Sequence, residues 1–445
     1  MKIAYIAAGA ANMYCGSCLH DNTLAAALLR RGEEILLIPT YTPLRTDEPN
    51  VSQRRLFLGG INVYLQQKSA LFRHTPRLLD RWLDEPRLVS WLASRGISTK
   101  AEDLGDLTVS MLEGEHGHQH KEVARLVDWL ANHVRPNVIH LSNTMLAALA
   151  EPIRRRMNVP IVCTLSGEDF FLEKLVAPHY SRAHKLLKQD ARHIDRFVAL
   201  NRYYAEFMSD YLAVDRRRVE VIPHGLHLDG YITRRNSETA PFTIGYLARI
   251  DPDKGLHHLV DAFRMLASDD SLPPIRLRVA GYLDRSFRGY LDELESRLKA
   301  DGCYDRFEYV GEVDRAQKLA FLGTLDVMSV PTVYHESKGL SILEAWAAAV
   351  PVVLPAHGAF PEMVEDTGGG IVCQPESPTA LAAGIRRFIE QPELIQRYGS
   401  QGQRAVHDRY TADIMAENTL QLYRELTGGE PADRSSEPPP AASNR

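Results

Sequence analysis

Cysteine is scarce in this chain: Cys15, Cys18, Cys163, Cys303 and Cys373 are the only five in 445 residues. A sparse, odd set cannot frame a disulfide-held fold, and it fits a reducing cytoplasm. Long apolar runs are missing too. The stretch AWAAAVPVVLPA from Ala345 is too short to cross a bilayer and contains Pro. The run IAYIAAGAA after Lys2, with its A-x-A from Ala8 to Ala10, imitates a secretory signal. It reads instead as a first β-strand entering a Gly-containing loop, so a cytoplasmic location is expected. An excess of positive charge is also lacking. Fifty-two Lys plus Arg face 57 Asp plus Glu, a net charge of -5, which argues against a protein built around a nucleic-acid backbone. The balance is uneven, since residues 1–230 carry 29 basic and 26 acidic side chains and the remainder holds the acidic surplus. The first half is therefore the one suited to an anionic partner. What is present is ordinary for a soluble globular protein, 44% apolar and 24% charged, in a length that calls for two large domains or three small ones.

Along the chain, strands and helices alternate twice. KIAYIAA, the loop GAANMYCGSC, a helix from His20 and the strand EEILLIPTY open a βαβ unit. Residues 42–125 are less regular and read as an elaboration, with GGINVYLQQ, an amphipathic stretch from Arg77 to Leu92 and the His-bearing EGEHGHQHKE. The alternation resumes with a helix to Asn132, VIHLS, the helix TMLAALAEPIRRR, PIVCTLS, a helix around His184 to Asp195, RFVALN and VEVIPHG. The polar linker Asn236 to Pro241 leads to a second series: FTIGYLARI, IRLRVAG, FEYVGEV, DVMSVPT and PVVLPA with helices between them. Two such runs predict two Rossmann-like domains facing one another across a cleft, residues 1–235 and 236–405. A closing helix in 406–426, capped by Thr411, is expected to return toward the first domain, followed by a disordered tail, 427–445.

Chemistry concentrates in the second half. GYLARIDPDKG places Arg249 and Lys254 beyond the carboxyl end of a strand, where open α/β sheets bind ligands. HESKGLSILEAWAAAVPVV places Glu336 before a Gly-containing turn and Glu344 in the helix that follows, with Gly339, Leu340 and Ser341 offering N–H groups at the helix start. Cations and a helix N-terminus suit a diphosphate, while carboxylates suit sugar or ribose hydroxyls. Either pair of charges alone is common. Their order after successive strands of one unit is what describes a nucleotide-sugar pocket.

At these residues the chain resembles family 4 of the glycosyltransferases, the retaining enzymes of the GT-B fold. The matching segments are RFVALN, VEVIPHGLHLDGY, IGYLARIDPDKG, VAGYLD, FEYVGEV, ESKGLSILEAWAAAVPVV and RYTADIMAENTLQLY. The resemblance implies sugar transfer from a nucleoside-diphosphate sugar to a hydroxyl acceptor, with no metal and no other cofactor. It implies that Arg249 and Lys254 hold the diphosphate and stabilise its developing charge, that Glu336 contacts the transferred sugar, that Glu344 takes the ribose, and that the base sits near Val313. The segment GGINVYLQQKSALFRH is similar to glycogen and starch synthases over too few residues to imply a glucan acceptor.

The chain departs from the family at three points. Ser166 stands where a His usually contacts the donor sugar, with Glu168 or Asp169 as neighbours that share the role or cap the next helix. Val350 replaces a usual Gly. The N-terminal loop has Gly9 and Gly16 in place of adjacent glycines, and Gly16 is the better candidate for close approach to donor or acceptor. A noncatalytic sugar-nucleotide or glycan-binding protein of the same fold is the alternative that Ser166 keeps open. A nicotinamide enzyme ranks third, because no G-x-G-x-x-G follows either first strand. Cys15 and Cys18 form a C-x-x-C at a helix start, a redox or metal motif in one reading and small loop-lining residues in the preferred one. His116, His118 and His120 would share a face if extended and bind a metal; a solvated loop is the expectation. Arg154–Arg156 and Arg216–Arg218 read as helix ends and solvated faces, and as candidates for peripheral contact with the inner face of a membrane.

Overall fold

The computed structural model describes residues 1–9, 15–53, 56–58, 104–231 and 241–428. The linker 236–240, the stretch Arg77 to Leu92, the segment GGINVYLQQKSALFRH and the tail beyond residue 428 lie outside the described residues, as do residues 10–14 of the first loop.

Two all-parallel, six-stranded sheets carry the fold. The first contains β1 (Lys2–Ala7), β2 (Glu34–Pro39), β3 (Val138–Leu141), β4 (Ile161–Thr164), β5 (Arg196–Ala199) and β6 (Val219–Val221), in the order β2-β1-β3-β4-β5-β6. Parallel strands need crossover helices that cover both faces, so their residues are apolar on both sides. Ala4 and Ile6 join one core with Ile139 and Leu141, while Ile3, Tyr5 and Ala7 join another with Ile35, Leu37 and Val138. The helices Gly16–Arg30 and Ala412–Thr427 complete that second core, so the last helix of the described residues packs on the first sheet.

The second sheet contains β7 (Phe242–Leu247), β8 (Ile275–Ala280), β9 (Phe307–Gly311), β10 (Val327–Met328), β11 (Val352–Pro355) and β12 (Gly370–Cys373), in the order β12-β11-β10-β7-β8-β9. Strand order reverses beside β1 in the first sheet and beside β7 in the second, and the carboxyl ends at these two points are where a crevice opens. The α/β, doubly Rossmann-like architecture expected from the alternation is the one found.

The two units are joined at paired crossings. Leu226 donates its N–H to the Tyr410 carbonyl at 2.7 Å, and its own carbonyl accepts from Ala412 at 2.8 Å. A Cβ on Gly225 would fall 2.3 Å from the Thr411 carbonyl oxygen, so only glycine lets these crossings touch. Nearby, Glu362 of the second unit accepts the N–H groups of Arg202 (2.8 Å) and Tyr203 (2.7 Å), at the start of helix Arg202–Leu212. A carboxylate there satisfies donors that the helix leaves unpaired and favours its positive end.

Several local expectations shift. TMLAALAEPIRRR is a 3-10 turn over Thr144–Leu149 running into helix Ala150–Arg156, not one helix. The helix placed around His184 to Asp195 is His179–Asp190, because Pro178, which lacks an N–H, sits naturally at its start. The helix carried to Asn132 ends at Trp129 and is followed by a wider turn, Leu130–Val134. His116, His118 and His120 do not form an extended run: Gly114–His116 is a 3-10 turn and His120 opens helix His120–Trp129. Among the described residues no three His, Cys, Asp or Glu side chains converge to hold a metal. No helix of the described residues is long and apolar enough to cross a membrane.

Candidate active site

A cleft of about 390 Å³ lies between the two sheets, a size that suits a small-molecule ligand. Its wall includes Arg249, Lys254, Val313, Glu336, Gly339, Leu340, Ser341 and Glu344 from the second unit, and Gly16 and Ser166 from the first. The candidates read from sequence therefore come together, with one exception. Glu168 is buried behind the wall, accepting from the Thr144 N–H (3.1 Å), the Thr144 hydroxyl (2.8 Å) and the Ser166 N–H (2.6 Å). It acts as a cap for two loops. Asp169, its neighbour, faces the cleft and accepts from the Tyr204 hydroxyl at 2.5 Å.

Arg249 and Lys254 follow β7 on a loop that ends in a 3-10 turn, Pro252–Lys254, in which Asp251 accepts the Lys254 N–H at 3.1 Å. The turn closes at Gly255, whose φ is +73° and whose Cβ, if present, would lie 1.7 Å from the Pro331 carbonyl oxygen. Glycine thus lets the loop after β7 meet the loop after β10, which brings Lys254 to Glu336. The Lys254 ammonium lies 2.8 Å from Glu336 Oε2 and also contacts the Tyr334 hydroxyl, which donates to the same oxygen at 2.8 Å. Glu336 Oε1 accepts the N–H groups of Ser337 and Lys338, each at 3.1 Å. All four acceptor positions of this carboxylate are occupied. Burial alone would raise its pKa, but the Lys254 charge and hydrogen bond, with those from Tyr334 and Lys338, hold it down at about 2. Arg249, by contrast, is half-exposed and pairs only loosely with Asp251 at 3.5 Å.

This arrangement predicts that Glu336 stays ionised down to roughly pH 3 and contributes stability above its unfolded pKa that is lost as pH falls through about 2. Lys254→Met should move the titration upward, read by carboxyl carbon NMR. An unmoved titration would show that Lys254 does not set the charge of Glu336.

Three side chains of the site carried no sequence signal strong enough to single them out. Lys318 contacts Glu344 and lies 2.5 Å from Asp47 Oδ2, all three nearly buried. Burial raises the Glu344 carboxyl and the Lys318 charge opposes the rise. Asp47 belongs to the stretch read as an elaboration, and two further ion pairs beside it span the units: Arg45 to Glu312 at 3.3 Å and Glu48 to Arg315 at 3.2 Å. Further contacts also span the units: Phe170 packs at a tilt against Tyr334 with ring centroids 4.3 Å apart, Lys174 pairs with Asp253 at 2.5 Å and Asn201 donates to the Ser337 carbonyl at 2.7 Å. Lys338 is the third residue missed. It lies within ESKGLS, and its ammonium donates to Ser17 Oγ at 2.6 Å across the cleft. Gly339, with φ +62°, turns the chain into helix Leu340–Ala347, whose first N–H groups have no partner within the helix.

The basic clusters lie elsewhere and are already engaged. Arg154 pairs with Asp195, Arg155 with Glu115, Arg216 with Glu206 and Arg217 with Asp215, while Arg218 donates to the Ala191 and Ile194 carbonyls. Arg156 is 3.8 Å from Asp128.

Comparison with known proteins agrees with the architecture. The family model described as glycosyl transferases group 1 matches residues 232–405, and that described as glycosyltransferase family 4 matches residues 106–229. The glycogen synthase of Mycobacterium tuberculosis is 26% identical over 303 residues, 66% of this chain and 70% of that protein. The phosphatidyl-myo-inositol mannosyltransferase of Mycobacterium leprae is 30% identical over 211 residues, 46% of this chain and 53% of that protein. Among solved structures, the HepE protein of Anabaena in complex with UDP superposes with a TM-score of 0.66 at 18% identity, over 96% of this chain and all of that one. The sucrose-phosphate synthase of Thermosynechococcus elongatus gives 0.68 at 17% identity, over 96% of this chain and 100% of that one. These structures share the GT-B fold with the present chain. The two matched models lie end to end across more than half of the sequence, and the cleft falls between them. The chain belongs to family 4 of the glycosyltransferases, GT-B enzymes that use nucleotide sugars.

Proposed function

We propose that the chain transfers a sugar from a nucleoside-diphosphate sugar to a hydroxyl acceptor with retention of anomeric configuration and without a metal. The observation that carries the reading is the pairing of Lys254 with a Glu336 whose acceptor positions are all filled. A carboxylate so occupied is a holder of the lysine, and it is a poor nucleophile. Glu344 is tied to Lys318. The two carboxylates are therefore not a free pair flanking a glycosidic bond, as a hydrolase needs.

Cleavage of the bond between the sugar and the diphosphate builds negative charge on the departing phosphate. Lys254, Arg249 and the N–H groups of Gly339, Leu340 and Ser341, all on the wall of the cleft, meet that charge as it forms. The acceptor then approaches from the face the diphosphate leaves, and a phosphate oxygen takes the hydroxyl proton. Glu344 keeps one oxygen for the ribose, Val313 and Tyr282 border the base, and Ser166 with Asp169 faces the sugar from the first unit. Glu336 positions Lys254; it reaches a sugar hydroxyl only by giving up one of its four bonds.

The test is proton NMR of the product formed from a panel of sugar nucleotides, run with and without EDTA. The expected product has the anomeric configuration of its donor, and chelation leaves the rate unchanged. An inverted product, or activity abolished by EDTA and restored by a divalent cation, would overturn the reading.

A further inference from the structure

The cleft wall carries a cysteine that sugar transfer does not use, with a second one helical turn behind it. Cys15 is the N-cap of helix Gly16–Arg30, in extended conformation (φ -133°, ψ 134°), with its side chain on the cleft wall. Cys18, one turn further along the same helix, is 2% exposed. The N-cap and the third helical residue are positions whose side chain and first turn meet without distorting a helix. Gly16 lies close against the turn assigned to the diphosphate: a Cβ there would be 3.6 Å from Leu340 Cδ2 and 4.0 Å from Lys338 Cδ. Lys338 itself is hydrogen-bonded to Ser17 in the same first turn. Behind Cys18, Asp21 is buried and accepts from the Tyr5 hydroxyl at 2.7 Å. The hydrogen bond from Cys18, helped by the Lys338 charge and first-turn N–H groups and opposed by burial, draws the Cys15 thiol well below its ordinary range. That same bond and burial push Cys18 up.

We propose that Cys15 and Cys18 form a reversible dithiol-disulfide switch that sets how tightly the cleft holds the donor diphosphate, the reduced state being the weaker binder. The proposal rests on the donor-site reading given above. In the reduced state the Cys15 sulfur, drawn toward its thiolate form, stands on the cleft wall at the same first turn that holds Lys338 through Ser17, where phosphate charge must arrive. The disulfide is neutral and leaves that turn and Lys338 to the donor.

The oxidant is a low-molecular-weight disulfide, for which glutathione disulfide is the probe. The Cys15 thiolate attacks one of its sulfurs, the S–S bond breaks, and one glutathione thiolate leaves. Cys18 then gives up its proton to solvent, and its sulfur attacks the Cys15 sulfur of the mixed disulfide. The mixed disulfide breaks and the second glutathione thiolate leaves. Two electrons pass from the cysteine sulfurs to glutathione disulfide, and the cysteine protons pass to solvent.

The experiment equilibrates the full chain in glutathione buffers of graded oxidation, blocks free thiols by alkylation for mass analysis, and measures UDP, ADP and GDP binding by calorimetry. Cys15 and Cys18 should lose alkylation together, and the tightest of the three nucleotides should bind about tenfold more tightly to the oxidised form. Cys15→Ser should bind it in either buffer as the oxidised protein does. A stable mixed disulfide on Cys15 with Cys18 still free would overturn the switch. So would a complete disulfide that leaves nucleotide affinity unchanged. Lys254→Ala, measured alongside, separates the two levels: if it binds nucleotide like the wild type, the donor-site reading fails and the switch with it; if it loses binding while oxidation has no effect, the switch alone fails.

Discussion

Lys254→Ala should lower kcat by about two to three orders of magnitude, the loss expected when one fixed group that meets developing charge is removed. It should also lower the melting temperature, for a separate reason. Glu336 is 7% exposed, and without the ammonium 2.8 Å away it becomes a buried carboxylate held only by Tyr334 and two backbone N–H groups. Breaking a buried pair by deleting one partner costs about 3–5 kcal/mol, and the three remaining donors place this case at the lower end. The double variant Lys254→Ala with Glu336→Gln separates the effects. Neutral Gln removes the unpaired charge, so the melting temperature should recover while kcat stays low. If activity returned together with stability, Lys254 would matter through folding alone and its assignment to the diphosphate would be lost. Rates from a coupled assay for released nucleotide, with melting curves on the same samples, decide the matter.

How much of this site could be read in the sequence depends on where each residue stands relative to a strand. Arg249 and Lys254 follow β7, and Glu336 to Glu344 follow β10, the two strands between which the second sheet reverses. Strand ends are visible as apolar runs closed by Gly and Pro, so residues at those ends can be placed in a crevice from the sequence. Lys318 had no such marker. It lies on the helix Arg315–Leu322, where a single Lys looks like any solvated charge, and only the fold puts Asp47, more than 250 positions earlier, against it. The choice between Glu168 and Asp169 was equally closed. Both begin the same short helix, and which one turns inward is fixed by Thr144 on one side and Tyr204 on the other. Lys338 was hidden in the motif itself, because the partner that gives it a place, Ser17, belongs to the other unit.

The largest loss of stability is expected from Lys318→Met. Lys318 is the one cation in direct contact with both Asp47 and Glu344 among the described residues, and the side chains of all three are less than a tenth exposed. Met keeps much of the volume and removes the charge, leaving two buried carboxylates face to face at a cost of about 3–5 kcal/mol. The pH dependence has a definite sign. Glu344 is already raised by burial, with Lys318 opposing it, so the variant raises its folded pKa further above the unfolded value. A group raised in this way is stabilising when protonated, and the deficit of the variant should shrink as pH falls from 8 toward 5. Glu344→Gln should behave differently: it keeps a hydrogen-bond acceptor for Lys318, costs less stability, and, on the role proposed for it at the ribose, raises the donor KM by about tenfold to a hundredfold with kcat little changed, because such a contact binds ground state and transition state alike. Adding Asp47→Asn and Glu344→Gln to Lys318→Met removes all three charges and should recover most of the lost melting temperature. A Lys318→Met protein that melts like the wild type at pH 8 would mean that the contact between Asp47 and Lys318 is open in solution. The first unit would then meet the ribose side of the cleft only once donor is bound, and closure would be a step of the reaction cycle.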